Sequence, residues 1–172
     1  KGIIGEHPEW SLSTEALYAK VSVSKERNEY KTAVSYYSDE NCTTAVETPV
    51  ITNTYTAPTE GSAELEIQKA ATENWTGKIP NYFQFKLEAL TEGAPMPGTT
   101  AVTNNGSDVS FGKITGYKEV KDYIYKISEK GIIGEHPEWT VSGDVLYAKV
   151  SVRKVGNEYK TKVSYYSDEN CT

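Results

Sequence analysis

Several large classes of protein are excluded by what this 172-residue sequence has little of. It holds two histidines, one methionine and two cysteines, Cys42 and Cys171. Neither cysteine has the His or Gln neighbours of a nucleophile or thioester, so each is read as a free thiol or half of a cross-chain disulfide. No run approaches the roughly 18 to 20 apolar residues of a membrane span. Lys1 is not followed by a signal-peptide core, so any targeting segment is expected elsewhere in a longer gene. Nor is there the clustered Lys and Arg that a nucleic-acid or anionic-membrane partner requires. The formal net charge is -6 and the pI near 5.1, and neither partner is expected. No stretch carries a capped, helix-length apolar stripe.

What is present points to strands. The 13 Tyr, with abundant Val and Thr, favour a pleated, half-buried surface, so the chain reads as all-β. With 37% hydrophobic residues it can bury a core in one domain or in one and a fraction.

The organisation follows from comparing the two ends. Lys1-Gly-Ile-Ile-Gly-Glu-His-Pro-Glu-Trp10 recurs as Lys130 to Trp139, a spacing of 129 residues, and Tyr36 to Thr43 recurs as Tyr165 to Thr172. A period that long is a whole domain, so the chain reads as a window on a tandem array. Pro58 and Gly61 interrupt strand patterning in Tyr55-Thr-Ala-Pro-Thr-Glu-Gly61. Residues 1–54 are therefore expected to be the C-terminal part of one repeat, and 55–172 the next repeat lacking its last strand. One thiol per repeat cannot pair within its own repeat.

Alternation places Leu17, Ala19, Val21 and Val23 facing inward, with Leu146, Ala148, Val150 and Val152 as their copies. Tyr30, Thr32, Val34 and Tyr36 form the second strand of a hairpin, copied at Tyr159 to Tyr165. Phe83, Phe85 and Leu87 line another strand, Val109 and Phe111 follow an Asn105-Gly106 turn, and Tyr123, Tyr125 and Ile127 line one more. Short strands at this spacing suggest a two-sheet sandwich.

Three polar residues break the apolar faces. In Ala63 to Ala71, alternation puts Lys69 on the side of Ala63, Leu65 and Ile67. Glu129 continues the face of Tyr123, Tyr125 and Ile127, and Asn53 lies between Ile51 and Tyr55. An ammonium facing a core is costly unless paired, neutralised or consumed. A Lys, a Glu and an Asn on core faces near strand ends supply what an amide cross-link needs. Burial favours a neutral, nucleophilic amine and a protonated carboxyl that shuttles protons as ammonia leaves. A rigid core supplies proximity, and the product is neutral. The plainer readings are a Lys69 that snorkels to solvent, a Glu129 that begins a surface turn and an Asn53 that merely ends a strand. Lys78, beside Gly77, and the outward-facing Lys86 are weaker candidates.

The motifs Ile67-Gln68-Lys69, Phe83-Gln84-Phe85-Lys86-Leu87, Tyr123-Ile124-Tyr125-Lys126-Ile127-Ser128-Glu129 and Thr52-Asn53-Thr54-Tyr55 resemble those of the pilin isopeptide-linkage domains of Gram-positive surface proteins, the FctA-like major pilins. The resemblance implies an Ig-like β-sandwich with a Lys in its first strand cross-linked to an Asn in its last, promoted by a Glu. It implies an extracellular, cell-wall location, association with neighbouring copies in a fibre, no cofactor and no enzymatic turnover. The family's Lys-x-x-x-Gly spacing is not kept, because Lys69 is separated from Gly77 by a longer loop.

The reactive residues run Asn53, Lys69, Glu129, whereas the resemblance implies the order Lys, Glu, Asn. Either each partner lies in neighbouring sequence, Lys69 pairing with the copy of Asn53 in the next segment, or Asn53 of one molecule reaches Lys69 of itself or another. Two other function classes remain. Trp10, Trp75 and Trp139 are candidates for a sugar-stacking platform of a ligand- or glycan-binding adhesin module, against core or loop anchoring. A two-carboxylate glycosidase is disfavoured, since catalysis rarely needs identical tandem copies. His7 and His136 occur once per repeat and read as turn residues before Pro; no metal site is expected. Asn41, Asn74 and Asn105 begin glycosylation-type tripeptides, a weak signal in a Thr-rich chain.

Overall fold

A computed structural model describes every residue except Lys1, Gly2, Ile4 and Glu73. The start of the first repeat copy and one residue of the loop after Lys69 therefore lie outside the described residues. Among these the protein has twelve strands and no helix, and so no helix long and apolar enough to cross a membrane. The chain forms two compact units, Lys1–Ala57 and Pro58–Thr172.

The second unit is an all-β sandwich. Its strands are β6 (Gly61–Gln68), β7 (Phe83–Ala89), β8 (Ala101–Thr103), β9 (Asp108–Tyr117), β10 (Asp122–Ile132), β11 (Val145–Val155) and β12 (Glu158–Tyr166). One layer has the order β12-β11-β10-β7-β8, and the other is the pair β6-β9. Two-residue alternation sends Ala63 and Leu65 from β6, and Phe83, Phe85 and Leu87 from β7, into one core. Val109, Phe111, Ile114 and Tyr117 from β9 join them, as do Tyr123, Tyr125 and Ile127 from β10 and Ala148, Val150 and Val152 from β11. The layers are also tied by hydrogen bonds, from Glu66 N–H to the Tyr165 hydroxyl at 2.9 Å and from the Thr161 hydroxyl to the Ser62 carbonyl. Asn104 is buried and fully engaged. Its Oδ1 accepts from Phe83 N–H at 3.0 Å, and its Nδ2 donates to the carbonyls of Pro80 and Gly106.

The first unit contains β1 (Trp10–Ser11), β2 (Tyr18–Glu26), β3 (Glu29–Tyr37), β4 (Ala45–Val46) and β5 (Thr54–Tyr55). Strands β2, β3 and β4 form one sheet, and β1 pairs with β5. The β2–β3 hairpin has the register of its copy: Tyr18 faces Tyr37 as Tyr147 faces Tyr166. Its turn demands a left-handed residue, supplied by Arg27 at φ 54° in one copy and Gly156 at φ 58° in the other.

Here the inward-facing expectation fails for one copy. Val150 is fully buried, whereas Val21, at the same point of the repeat, is 60% exposed. Ala19, Val23, Tyr30, Val34 and Tyr36 are exposed too. The reason is topological. In the second unit β6 packs over the equivalent hairpin, and among the described residues the first unit contains no corresponding layer.

This contrast gives a paired test. Val150→Ala should lower the unfolding free energy by about 2 kcal/mol, the transfer loss plus a cavity. Val21→Ala should change it by less than about 0.5 kcal/mol; chemical denaturation monitored by tyrosine fluorescence reads both.

The core also carries a polar chain. The Tyr117 and Tyr125 hydroxyls are 2.9 Å apart, and Tyr125 donates to the Pro95 carbonyl at 2.7 Å. Burial pushes both phenols up from their ordinary pKa. Folding favours their neutral forms, so their contribution is whole below the unfolded tyrosine value of about 10 and is lost as pH rises above it. Stability should therefore fall above about pH 10, and less steeply in Tyr125→Phe, as followed by melting temperature against pH.

Candidate cross-linking site

Lys69 is the residue just after β6, and it keeps that strand's inward phase. Its main-chain N–H donates to the Ser107 carbonyl at 2.7 Å, which prolongs the alignment with the β9 side of the sheet. The side chain is 11% exposed, with Nζ 2.8 Å from Glu129 Oε2 and 4.5 Å from the centre of the Phe83 ring. The ring face adds a cation–π attraction to the ion pair.

Glu129 lies within β10 and its side chain is 2% exposed, so it is not a surface turn residue. Two backbone features aim it. Pairing of β10 with β11 ends at Ser128 opposite Val145. Pairing with β7 then shifts between Glu129 opposite Phe85 and Gly131 opposite Gln84, leaving Lys130 as the extra residue of a bulge. The main chain of Ser142 enters the space beyond β11, and its N–H donates to Glu129 Oε2 at 3.3 Å. The other oxygen, Oε1, is buried and has no hydrogen-bond partner among the described residues. An ionised carboxylate oxygen left in that state costs on the order of 1–3 kcal/mol or more.

Two grooves flank the pair. One of about 630 Å³ runs between Lys69, Ala70 and Trp75 on one side and Trp139, Thr140 and Ser142 on the other. A second, of about 600 Å³, is lined by Ile67, Phe85, Ile127, Glu129 and Leu146. The Trp75 and Trp139 rings meet edge to face at 4.8 Å.

Asn53 belongs to the first unit, where it is exposed and directly precedes β5. Its Oδ1 accepts from the main-chain N–H of Ser13 at 3.1 Å. Beside it, Trp10 and Ser11 pair with Tyr55 and Thr54, and the Trp10 and Tyr55 rings lie 5.0 Å apart. Lys69 and Glu129 are thus brought together within one unit, and Asn53 sits in the other. Lys86 is exposed and paired with Glu88 at 2.8 Å, and Lys78 is exposed. His136 stacks on Tyr82 at 3.8 Å, and both cysteines are free thiols. Pattern reading missed Ser13 and Ser142, and it read Phe83 as a strand-lining motif residue without its contact to Lys69. The serines carried a signal nonetheless: each stands at the same point of its repeat, with an acid, Glu15 or Asp144, two residues on.

This arrangement defines a class of domain in which a largely buried lysine and carboxylate meet at the end of a sandwich's first strand. Residues 65–172 match the family model of FctA, described as a Spy0128-like isopeptide containing domain. The chain belongs to this family of Gram-positive pilin domains, whose role is structural. Comparisons with curated proteins and with solved structures gave no match.

Removing one partner of the buried pair strands the other. In chain that carries no cross-link, Glu129→Ala should destabilise the second unit by about 3–5 kcal/mol. The apolar double replacement Lys69→Met with Glu129→Leu should instead be near neutral or stabilising, as read by urea midpoints.

Proposed function

We propose that the chain is a segment of an extracellular bacterial fibre, pilus or adhesin stalk, built of tandem 129-residue repeats, each locked by a self-formed amide between a lysine and an asparagine. In this reading Lys69 is the nucleophile, Glu129 the proton shuttle, and the electrophile an asparagine equivalent to Asn53. It is carried by a segment with the sequence of residues 44–57, on a continuing repeat or by strand exchange from a neighbouring copy.

The observation that carries this reading is one repeated contact. At the same point of the repeat, the serine main-chain N–H holds Asn53 Oδ1 in the first unit and Glu129 Oε2 in the second. A strand seated along Trp139 to Ser142 as β5 is seated along Trp10 and Ser11 would bring its carboxamide to the Lys69–Glu129 pair. The groove beside that pair has room for it, and the unpartnered Glu129 Oε1 offers an acceptor for the carboxamide N–H. Glu129 takes a proton from the Lys69 ammonium, the neutral amine attacks the carboxamide carbon, and Glu129 passes that proton to the departing nitrogen, which leaves as ammonia. The second proton, shed by the new amide nitrogen, ends on Glu129. The tandem domain boundaries proposed are 1–54 for the end of one repeat and 55–172 for most of the next. Such a bond carries tension along the fibre between the first and last strands of each repeat.

Mass spectrometry of the chain incubated with a synthetic peptide of residues 44–57 tests this. A conjugate about 17 Da lighter than the sum is expected, the loss of one ammonia per bond. Lys69→Ala, Glu129→Ala, or a peptide carrying Asn53→Ala should give none. A saturated groove without any conjugate would sink the proposal.

A further inference from the structure

The serine contact also bears on how the amide is made. Ser13 and Ser142 are each followed by a different pair of residues, Thr14-Glu15 in one copy and Gly143-Asp144 in the other. Both nevertheless adopt one local geometry. The Ser13 hydroxyl accepts from Glu15 N–H at 3.1 Å and approaches Glu15 Oε2 at 3.5 Å. The Ser142 hydroxyl accepts from Asp144 N–H at 3.1 Å and donates to Asp144 Oδ2 at 2.8 Å. The side chain is thus spent on holding the turn, and the main-chain N–H is left to point at the site. In the first unit it reaches the oxygen of the reactive carboxamide, at 3.1 Å.

We propose that the main-chain N–H of Ser142 is the oxyanion donor of the cross-linking reaction, stabilising the charge that builds on the asparagine oxygen; this rests on the cross-link reading above. When the amine of Lys69 attacks the carboxamide carbon, the carbonyl electron pair moves onto the oxygen, which the N–H holds. The pair returns as the bond to the side-chain nitrogen breaks, and that nitrogen leaves as ammonia with the first proton that Lys69 gave up through Glu129, while the second, shed by the new amide nitrogen, stays on Glu129. A donor fixed in a water-poor site strengthens where charge develops and needs no reorganisation. In the second unit the same N–H is bonded to Glu129 Oε2. Arrival of the carboxamide oxygen displaces that contact and leaves Oε2 to take the lysine proton. Ser142 thus serves both states of the site with one hydrogen bond.

The test removes the N–H in the full chain, with the 44–57 peptide as acceptor strand. Ser142→Pro, or a semisynthetic chain with an ester in place of the Val141–Ser142 amide, removes the donor. Each should lower the maximal rate by about 10²–10³-fold, with half-saturation by peptide changed far less. Melting temperature reports whether the proline chain is folded, and the ester chain decides if it is not. An ester chain conjugating at the parental maximal rate overturns the proposal, as does a loss confined to half-saturation. A parent chain that yields no conjugate at all defeats the cross-link reading itself, a distinct result.

Discussion

The structure of the second unit turns on an ion pair that its own core cannot fully satisfy. Lys69 and Glu129 are drawn out of water at the end of a sandwich whose interior is otherwise uncharged, built mostly of aliphatic and aromatic side chains. Bringing two charges there costs several kcal/mol per ion before their attraction returns any of it. Three groups offset the cost: the opposing charge, the Phe83 ring and the Ser142 N–H. One carboxylate oxygen is left over. A pair in this condition gives little net stability, and its retention makes physical sense where the charge is later consumed.

The paired hairpins show how far burial depends on context. Tyr18–Tyr37 and Tyr147–Tyr166 share register, turn conformation and nearly all their sequence, yet one is core and the other surface. Ladder hydrogen bonds and turn geometry are local and survive in both copies. Desolvation requires a second layer, and among the described residues the layer containing β6 supplies it to only one.

The strands of the second unit were legible because it is antiparallel and alternates cleanly. Phe83, Phe85 and Leu87, or Tyr123, Tyr125 and Ile127, reveal a face without help from elsewhere. Lys69 and Glu129 were legible as interruptions of that pattern. Their meeting was legible only through the family resemblance, since alternation fixes a face but not which strands oppose across a core. The bulge at Lys130 was hidden because an extra residue leaves no mark in a stretch already containing Gly131. Ser142 was hidden because its part is played by main chain, which every residue has. The exposure of Val21 and its neighbours was misjudged for a related reason: apolar alternation marks a face capable of burial, and a covering layer is a separate requirement.

The contacts that close β6 over β12 join residues 99 apart in sequence, Glu66 to Tyr165 and Ser62 to Thr161. The hairpins, by contrast, connect near neighbours. Loop closure over such a span is entropically slow, so hairpins form early and the layer bearing Lys69 docks late. Lys69 and Glu129, themselves 60 residues apart, come within reach only when that docking is complete. Under the proposed cross-link, the lysine is thereby kept out of chemistry until the chain has found its register. Irreversible bond formation would then act as a checkpoint, recording a fold already achieved and leaving misregistered chains free to try again.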